Sequence, residues 1–239
     1  MDHAQGRHDM QFGKEQPIIL ASGSPRRREL LSAMQMTFEV VTSDIDESAQ
    51  ARETPLALAY RLSLTKAEAV ASAYLDAIII AADTLVVLDN DILGKPGDWA
   101  EATEMLIRLR NRRHSVYTGL TVIDQPGDRR CTQVAITPVL MRDYSDEEIR
   151  RYVSSGDPMD KAGAYAIQYA DFNPVARFEG CYANVMGLPM CHLYRLLCSW
   201  HINVPRHSLE SCPLAIKEGC PWAAEILSVE SIPCIPGSN

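Results

Sequence analysis

The sequence has few positive charges for its length. Its 239 residues contain 23 Lys and Arg against 31 Asp and Glu, which gives a formal net charge of −8. Duplex nucleic acid and anionic membrane surfaces both attract an excess of Lys and Arg, so this balance argues against either as the main partner. Any anion that the protein binds must therefore meet a local cluster of basic side chains.

Long apolar runs are also missing. Stretches such as AIIIAA at 77–82 are far shorter than the roughly 20 residues that cross a bilayer. The polar first 16 residues contain no apolar core of a secretion signal. We therefore expect a cytoplasmic protein without a membrane partner.

Paired cysteine motifs are absent as well. The seven cysteines are odd in number and include no C-x-x-C pair, which predicts a reducing compartment rather than a disulfide framework. Cys198, Cys212, Cys220 and Cys234 could together bind zinc, but their spacing matches no compact ligand pair. The favoured interpretation of the C-terminal segment is a loosely packed extension.

Strand-like and helix-like patterns alternate along the chain, which predicts an α/β fold. A buried strand followed by a hairpin near Asp89 and Asn90 indicates a mixed sheet rather than a purely parallel one. The predicted organisation is a disordered lead-in over 1–16, one domain over 17–200 and an extension rich in Pro and Cys over 201–239.

A basic turn and a buried aspartate are the first candidates for chemistry. The turn at Gly23 and Ser24 leads into a helix that begins with three arginines at 26–28, and helix N-termini bind anions. A solvated basic turn is the alternative, and the Walker spacing of glycines is absent. Asp83 follows AIIIAA and is placed at the mouth of a buried strand, as metal ligand, general base or simple turn residue.

Two further segments carry charge. The loop SDIDES at 43–48 offers the hard oxygen ligands that Mg²⁺ prefers, although a solvated acidic loop is the commoner outcome. In GDPMDKAGAYAIQ at 156–168, Asp160 and Lys161 stand among small residues that let backbone approach a ligand closely. Neither Lys66 nor Lys95 is informative alone.

Four blocks in order resemble one family. The first block is LASGSPRRREL and the second is DESAQARETPLALAYRLSLTKA. The third comprises AADTLVV, ILGKPGD, EATEMLIRL and HSVYTGL, and the fourth comprises PMDKAGAYAIQ and EGCYANVMGLPM. All four are similar to blocks of the Maf family of nucleoside triphosphate pyrophosphatases. The resemblance runs from about residue 18 to 197. It implies a mixed twisted sheet flanked by helices, with two lobes around a nucleotide-binding cleft, related to inosine triphosphate pyrophosphatases. The implied activity cleaves a nucleoside triphosphate into the monophosphate and pyrophosphate with a divalent cation, Mg²⁺ or Mn²⁺.

The resemblance also implies roles for individual residues. Asp83 is the implied catalytic residue, and Glu47, beside Asp46, is implied with Asp83 as a metal ligand. The implied substrate-binding residues are Ser24, Arg26, Arg27, Lys66, Thr84, Lys95, Asp160, Lys161 and Gln168.

Within the family, the residues at five of these positions resemble the branch that acts on dTTP and UTP rather than 7-methyl-GTP. Thr84 and Gln168 can offer a donor and an acceptor to a uracil-like edge. One block departs from the pattern: YADFNPV at 169–175 replaces a glycine-rich run. Because glycine-dependent backbone angles are then not expected, we predict a different loop shape, which bears on substrate preference more than on the chemistry.

Two rival functions stay open at this stage. One is a nucleotide-binding regulator of cell division that acts through a protein partner without turnover. The other is a phosphatase that removes the terminal phosphate. The sequence does not determine the oligomeric state, and a homodimer is compatible with it.

Overall fold

A mixed sheet forms the centre of the molecule. The computed structural model describes residues 16–228 and Cys234. The strand order is β2-β1-β3-β5-β6-β7, and β4 pairs with β3. The strands are β1 (Ile18–Leu20), β2 (Glu39–Val40), β3 (Ile78–Leu88), β4 (Asp91–Leu93), β5 (Arg113–Asp124), β6 (Arg129–Met141) and β7 (Val175–Phe178).

Helices flank this sheet on both faces. They are α1 (Pro25–Ala33), α2 (Pro55–Ala71), α3 (Trp99–Leu109), α4 (Asp146–Ser154), α5 (Tyr182–Met186), α6 (Met190–Ser199), α7 (Ser208–Ser211), α8 (Pro213–Glu218) and α9 (Ala223–Ser228). Two short 3₁₀ helices span Asp157–Asp160 and Ala162–Ala164. Among the described residues, no helix is both long and apolar enough to cross a membrane.

The predicted mixed α/β fold is confirmed. β1 runs parallel to both β2 and β3, whereas β3, β5, β6 and β7 pair antiparallel in sequence. The hairpin between β3 and β4 turns at Asp89 and Asn90, whose φ angles are 51° and 75°. Both residue types tolerate this left-handed conformation, as two-residue hairpin turns require.

The predicted position of Asp83 at a strand end is wrong, because it lies inside β3, opposite Gly119 of β5. On the other side of β3, the pairing with β1 stops at Leu20 and Ile80. The chain then turns away towards α1, so β3 continues without this neighbour. Because β1 is short, the edge of β3 beside Asp83 has no strand neighbour on this side, which leaves space there although β3 continues.

Alternate residues of β3 face opposite sides of the sheet, and α2 covers one side. On the other side, apolar residues form two clusters. Ile80 and Ala82 belong to the cluster with α1, α5 and α6, while Val86 and Leu88 belong to the cluster with α3 and α4. Thr84 lies on this face between them. The molecule therefore has two separate hydrophobic cores on this face of the sheet.

The segment 156–189 contains short elements of regular structure that its sequence does not indicate. Both β7 and α5 lie within it. Their lengths of four and five residues are too short for a hydrophobic period to be recognised, so only packing against β6 and β5 defines them.

The C-terminal extension is not loosely packed in its described part. Cys212 is buried in the cluster around α6, and Leu214 and Ile226 pack against it. Arg195 of α6 donates a hydrogen bond of 2.7 Å to the Ile226 carbonyl. The prediction failed because Pro and polar residues dominate the composition, while a few spaced apolar residues suffice to anchor short helices on an existing core. Of the predicted lead-in, residues 1–15 lie outside the described residues.

The prediction against disulfides is wrong for one pair. Cys131 of β6 is bonded to Cys234, across a sequence separation of 103 residues. The described residues contain no group of three or more His, Cys, Asp or Glu side chains arranged to hold a metal ion, so the zinc alternative has no support there.

We expect Cys234→Ser to lower the free energy of unfolding by about 2 to 4 kcal/mol, because the bond closes a long loop in the unfolded chain. Urea unfolding with and without reductant measures this. Reductant should bring the wild type to the stability of the variant and leave the variant unchanged. Cys198→Ser, at an exposed free cysteine, is the matched control. Equal stability of the wild type and Cys234→Ser without reductant would contradict the expectation.

Candidate active site

A cavity of about 820 Å³ opens beside the N-terminus of α1 and the middle of β3. Its volume lies within the range of about 300 to 1,000 Å³ typical of small-molecule sites. Every site residue predicted from the sequence lines it. These are Ser24, Arg26, Arg27, Glu47, Lys66, Asp83, Thr84, Lys95, Asp160, Lys161 and Gln168.

The start of α1 gives this cavity a positive edge. Pro25 is the first helical residue, and the Ser24 side chain before it makes no capping hydrogen bond to the helix. The free N–H groups of the first turn and the positive end of the helix dipole favour an anion at this position. Arg26 and Arg27 add positively charged side chains to the same edge.

Arg27 is the most tightly held of these groups. Its Nε donates to the Gly187 carbonyl at 2.8 Å, Nη1 to Ser22 Oγ at 3.1 Å and Nη2 to Thr84 Oγ1 at 3.0 Å. Burial lowers the pKa of Arg27, and the nearby Asp83 carboxylate opposes this change. An arginine stays charged in proteins, so the cavity contains a fixed cation of defined orientation.

Gly187 is a site residue that the sequence reasoning did not assign. It follows α5 with a φ of 112°, a conformation that side chains rarely adopt. A Cβ there would lie 3.4 Å from Thr84 Oγ1 and 3.5 Å from Arg27 Nε. The block EGCYANVMGLPM contains this glycine. The sequence did not indicate its role, because Gly187 contacts Arg27 from 160 positions away along the chain.

Lys66 links the two predicted metal ligands. Its Nζ lies 2.5 Å from Asp83 Oδ1 and 2.7 Å from Glu47 Oε1. Lys66 and Asp83 are buried, whereas the Glu47 side chain is half-exposed. Burial acts to raise the pKa of Glu47, but the hydrogen bond and charge of Lys66 outweigh it and hold that pKa below its usual value.

Asp83 keeps one oxygen for chemistry. Lys66 binds Oδ1, and no hydrogen bond from the described residues reaches Oδ2. Asp83 Oδ1 and Glu47 Oε1 both contact Lys66 Nζ, so the two carboxylates lie near one another in the cavity. Two carboxylates of this kind fit Mg²⁺, which binds one or two carboxylates and completes its shell with water and substrate phosphates.

Asp160 and Lys161 lie on the opposite wall. Arg26 Nη1 is 3.6 Å from Asp160 Oδ2, an ion pair across the cleft. Lys161 Nζ contacts the Asp157 carbonyl at 2.5 Å, Asp157 Oδ1 at 3.0 Å and Asp160 Oδ1 at 2.6 Å. The contacts with the Asp157 carbonyl and Asp160 Oδ1 are hydrogen bonds, and the contact with Asp157 Oδ1 is an ion pair. Lys161 therefore orients Asp160 in this structure.

Thr84 differs from its predicted role as a donor to a base. Its hydroxyl accepts from Arg27 and is 3.0 Å from Thr118 Oγ1. Thr118 in turn donates to the Asn184 carbonyl at 3.1 Å, so the proton of Thr84 is directed at Thr118. Only an acceptor lone pair of Thr84 remains for a ligand.

Lys95 and Gln168 are two of the exposed polar residues that line the cavity. Neither side chain has an ion pair or hydrogen bond within the part of the chain that the structure describes. Both are therefore available to a ligand, Lys95 as a point charge and Gln168 as a paired donor and acceptor.

Tyr165 is a second residue that the sequence reasoning did not assign. It lines the cavity, and its hydroxyl is 2.8 Å from His114 Nε2. Burial lowers the pKa of His114 to about 4, so this imidazole is neutral at pH 7. Tyr165 therefore forms an aromatic part of the cavity wall, and its contact with His114, which does not line the cavity, fixes its position.

Two expectations concern residues beside the cavity. Asp46 accepts a hydrogen bond of 2.9 Å from the Ser48 amide and does not line the cavity.

None of residues 169–175, all of which are described, lines the cavity either. Phe172 of that loop stacks on Tyr152 at 4.3 Å. Asn173 has a φ of 41°, so it adopts the left-handed conformation for which glycine was expected to be needed.

A family model and several sequence relatives match most of this chain. Residues 17–200 match the family model described as Maf-like protein. A dTTP/UTP pyrophosphatase from Dictyoglomus turgidum is 48% identical over 181 residues, which are 75% of this chain and 94% of that protein. A dTTP/UTP pyrophosphatase from Carboxydothermus hydrogenoformans is 46% identical over 183 residues, 77% of this chain and 98% of that protein. The structure of a HAM1 protein from Coxiella burnetii aligns with 54% of this chain and 74% of its own, at 16% identity and a TM-score of 0.36.

Proposed function

Because the chain belongs to the Maf family, we propose that it is a nucleoside triphosphate pyrophosphatase that hydrolyses dTTP and UTP. The products are the nucleoside monophosphate and pyrophosphate, and the activity removes these nucleotides from the pool. One observation carries the proposal: residues from α1, the loop before α2, α2, β3 and two later segments converge on a single cavity. They supply the basic, acidic and amide groups that a nucleotide and a cation require.

The triphosphate binds at the positive edge of this cavity. The first turn of α1 offers backbone N–H groups to the phosphate oxygens, and Ser24 offers a hydroxyl. Arg27 presents a fixed guanidinium, and the exposed Lys95 closes on the distal phosphates. An acidic protein thereby binds a strongly anionic ligand through a local cluster of cations.

The carboxylates of Glu47 and Asp83 would bind the cation, and Asp83 also accepts a proton. Glu47 and Asp83 would bind Mg²⁺ or Mn²⁺, which supplies positive charge to the phosphates when bound. Asp83 accepts the proton of the attacking water through Oδ2, since Lys66 fixes Oδ1. The water oxygen bonds to the α-phosphorus, and the bond from this phosphorus to the bridging oxygen breaks. Pyrophosphate leaves with the electron pair, and Arg27 and Lys95 stabilise its charge.

The base is recognised by uncharged side chains. Gln168 can both donate to and accept from the edge of a uracil or thymine ring. Tyr165 offers an aromatic wall, and the remaining lone pair of Thr84 can accept the N3 proton. Arg26 and Asp160, paired across the cleft, link the two walls around the nucleotide.

A panel of nucleotides with product analysis tests the proposal. We expect dTTP and UTP to have a higher kcat/KM than ATP, GTP or 7-methyl-GTP, with pyrophosphate as the first product. EDTA should abolish turnover and Mg²⁺ should restore it, because Glu47 and Asp83 offer hard oxygen ligands.

Each contrary outcome has its own meaning. A purine nucleotide in first place would overturn the assignment of the base and leave the reaction in place. Orthophosphate as the first product would indicate a terminal phosphatase. Tight nucleotide binding without turnover would indicate the regulator that the sequence left open.

A further inference from the structure

A buried threonine behind the cavity connects the elements that hold Arg27. Thr118 lies on β5, directly opposite Thr84 of β3, and is completely buried. Its hydroxyl is 3.0 Å from Thr84 Oγ1 and 3.1 Å from the Asn184 carbonyl. Thr118 does not itself line the cavity.

The number of protons fixes the direction of these bonds. A carbonyl can only accept, so Thr118 donates its proton to Asn184. Thr84 must then donate to Thr118, which leaves the lone pairs of Thr84 to accept from Arg27. The chain of donors runs from Arg27 through Thr84 and Thr118 to the backbone of α5.

The same helix also holds Arg27 directly. Asn184 is fixed on the sheet, because its Nδ2 donates to the Val116 carbonyl at 3.1 Å and to Thr137 Oγ1 at 2.9 Å. Three residues further on, the Gly187 carbonyl accepts from Arg27 Nε. The hydrogen bonds from Arg27 through Thr84 and Thr118 to Asn184, the backbone from 184 to 187, and the bond from Gly187 back to Arg27 therefore form a closed ring that includes the guanidinium.

We propose that Thr118 is a positioning residue for the pyrophosphatase reaction. Its hydroxyl fixes the rotamer of Thr84 and the position of α5, and these supply two of the three acceptors that orient Arg27. The inference rests on the proposed function. Thr118 lies outside the cavity, yet it aligns Arg27, the main phosphate-binding cation.

Thr118→Val removes the hydroxyl and keeps the shape of the side chain. Thr84 then loses its acceptor and Asn184 loses its donor, so Arg27 is no longer held in one orientation. We expect kcat/KM for dTTP to fall about 10- to 100-fold, as for other residues that orient a functional group from behind. Most of the loss should be in kcat, because charge stabilisation at the phosphates is strongest in the transition state.

Two variants provide the controls. Thr118→Ser keeps the hydroxyl and should stay within about threefold of the wild type, since hydrogen bonding is preserved. Thr121→Val is the matched control on the same strand. Thr121 is equally buried and bonds to Ser63 at 3.0 Å and Thr132 at 2.9 Å, away from the cavity. It should lower Tm as Thr118→Val does, without changing kcat or KM.

A double variant tests the route through Arg27. In an Arg27→Lys background, Thr118→Val should have little further effect on kcat/KM, because the oriented guanidinium is already gone. Independent, multiplicative effects would overturn the proposal, as would wild-type kinetics of Thr118→Val or equal kinetic losses in Thr121→Val. If Thr118→Val does not fold, Thr118→Cys takes its place with the same expected direction.

Calorimetry with inorganic tripolyphosphate separates this inference from the proposed function. If the wild type cleaves no nucleoside triphosphate, the proposed function fails. Weaker tripolyphosphate binding by Thr118→Val, but not by Thr121→Val, would still support the positioning of Arg27. Equal binding by both variants would overturn it.

Discussion

Asp83→Asn is expected to lower kcat for dTTP at least 100-fold, since general-base terms are worth about 10² or more. The amide has nearly the shape of the carboxylate, and its oxygen can still accept the hydrogen bond from Lys66 Nζ. What disappears is the negative charge that binds the cation and the basic oxygen that accepts the proton. The measurement is steady-state kinetics beside a thermal melting curve.

Asp124→Asn is the matched control for this change. Asp124 is also buried, lies on β5 and forms an ion pair with Arg129, outside the cavity. We expect Asp124→Asn to lower Tm and leave kcat unchanged. Asp83→Asn should lower kcat while the melting curve still shows a folded protein, because Lys66 keeps Glu47 as an ion-pair partner. An Asp83→Asn variant that retains more than about a tenth of the wild-type rate would exclude Asp83 as the base.

Lys66→Met should have the second largest effect, on stability as well as on rate. Lys66 is the cation between Asp83 and Glu47, and without it the buried Asp83 carboxylate loses its partner. Removing one member of a buried ion pair typically costs about 3 to 5 kcal/mol. At about 2 to 4 °C per kcal/mol for a domain of this size, Tm should fall by roughly 6 to 20 °C.

The response to Mg²⁺ distinguishes this effect from a general packing defect. Two carboxylates without the ammonium group attract a divalent cation more strongly, so Mg²⁺ should raise the Tm of Lys66→Met more than that of the wild type. Lys66→Arg keeps the charge and should restore most of the stability in EDTA. An equal response of wild type and Lys66→Met to Mg²⁺ would show that the two carboxylates do not bind the cation together.

The local patterns of the sequence predicted much of the secondary structure. Ser145 and Glu148 have the spacing of a capping box, and the structure contains both of its hydrogen bonds at the start of α4. The turn at Asp89 and Asn90 marked the hairpin. These features depend on residues within four positions of one another, so they can be read along the chain.

Features that depend on packing could not be predicted in this way. β7 and α5 are too short for a hydrophobic period, and the described tail helices are stabilised by contacts with α6. The bond between Cys131 and Cys234 joins a strand to the tail, and spacing alone does not identify such a pair.

The same division holds for the site. The sequence by itself determined which charged residues the protein has available, and the resemblance of its blocks to one family predicted which of them belong together. Only the tertiary structure decided what each can do there. Lys161 is paired with Asp157 and Asp160, and the proton of Thr84 is directed at Thr118. The physical reason is that a side chain has a fixed number of donors and acceptors, and neighbours distant in sequence decide which of them remain for a ligand.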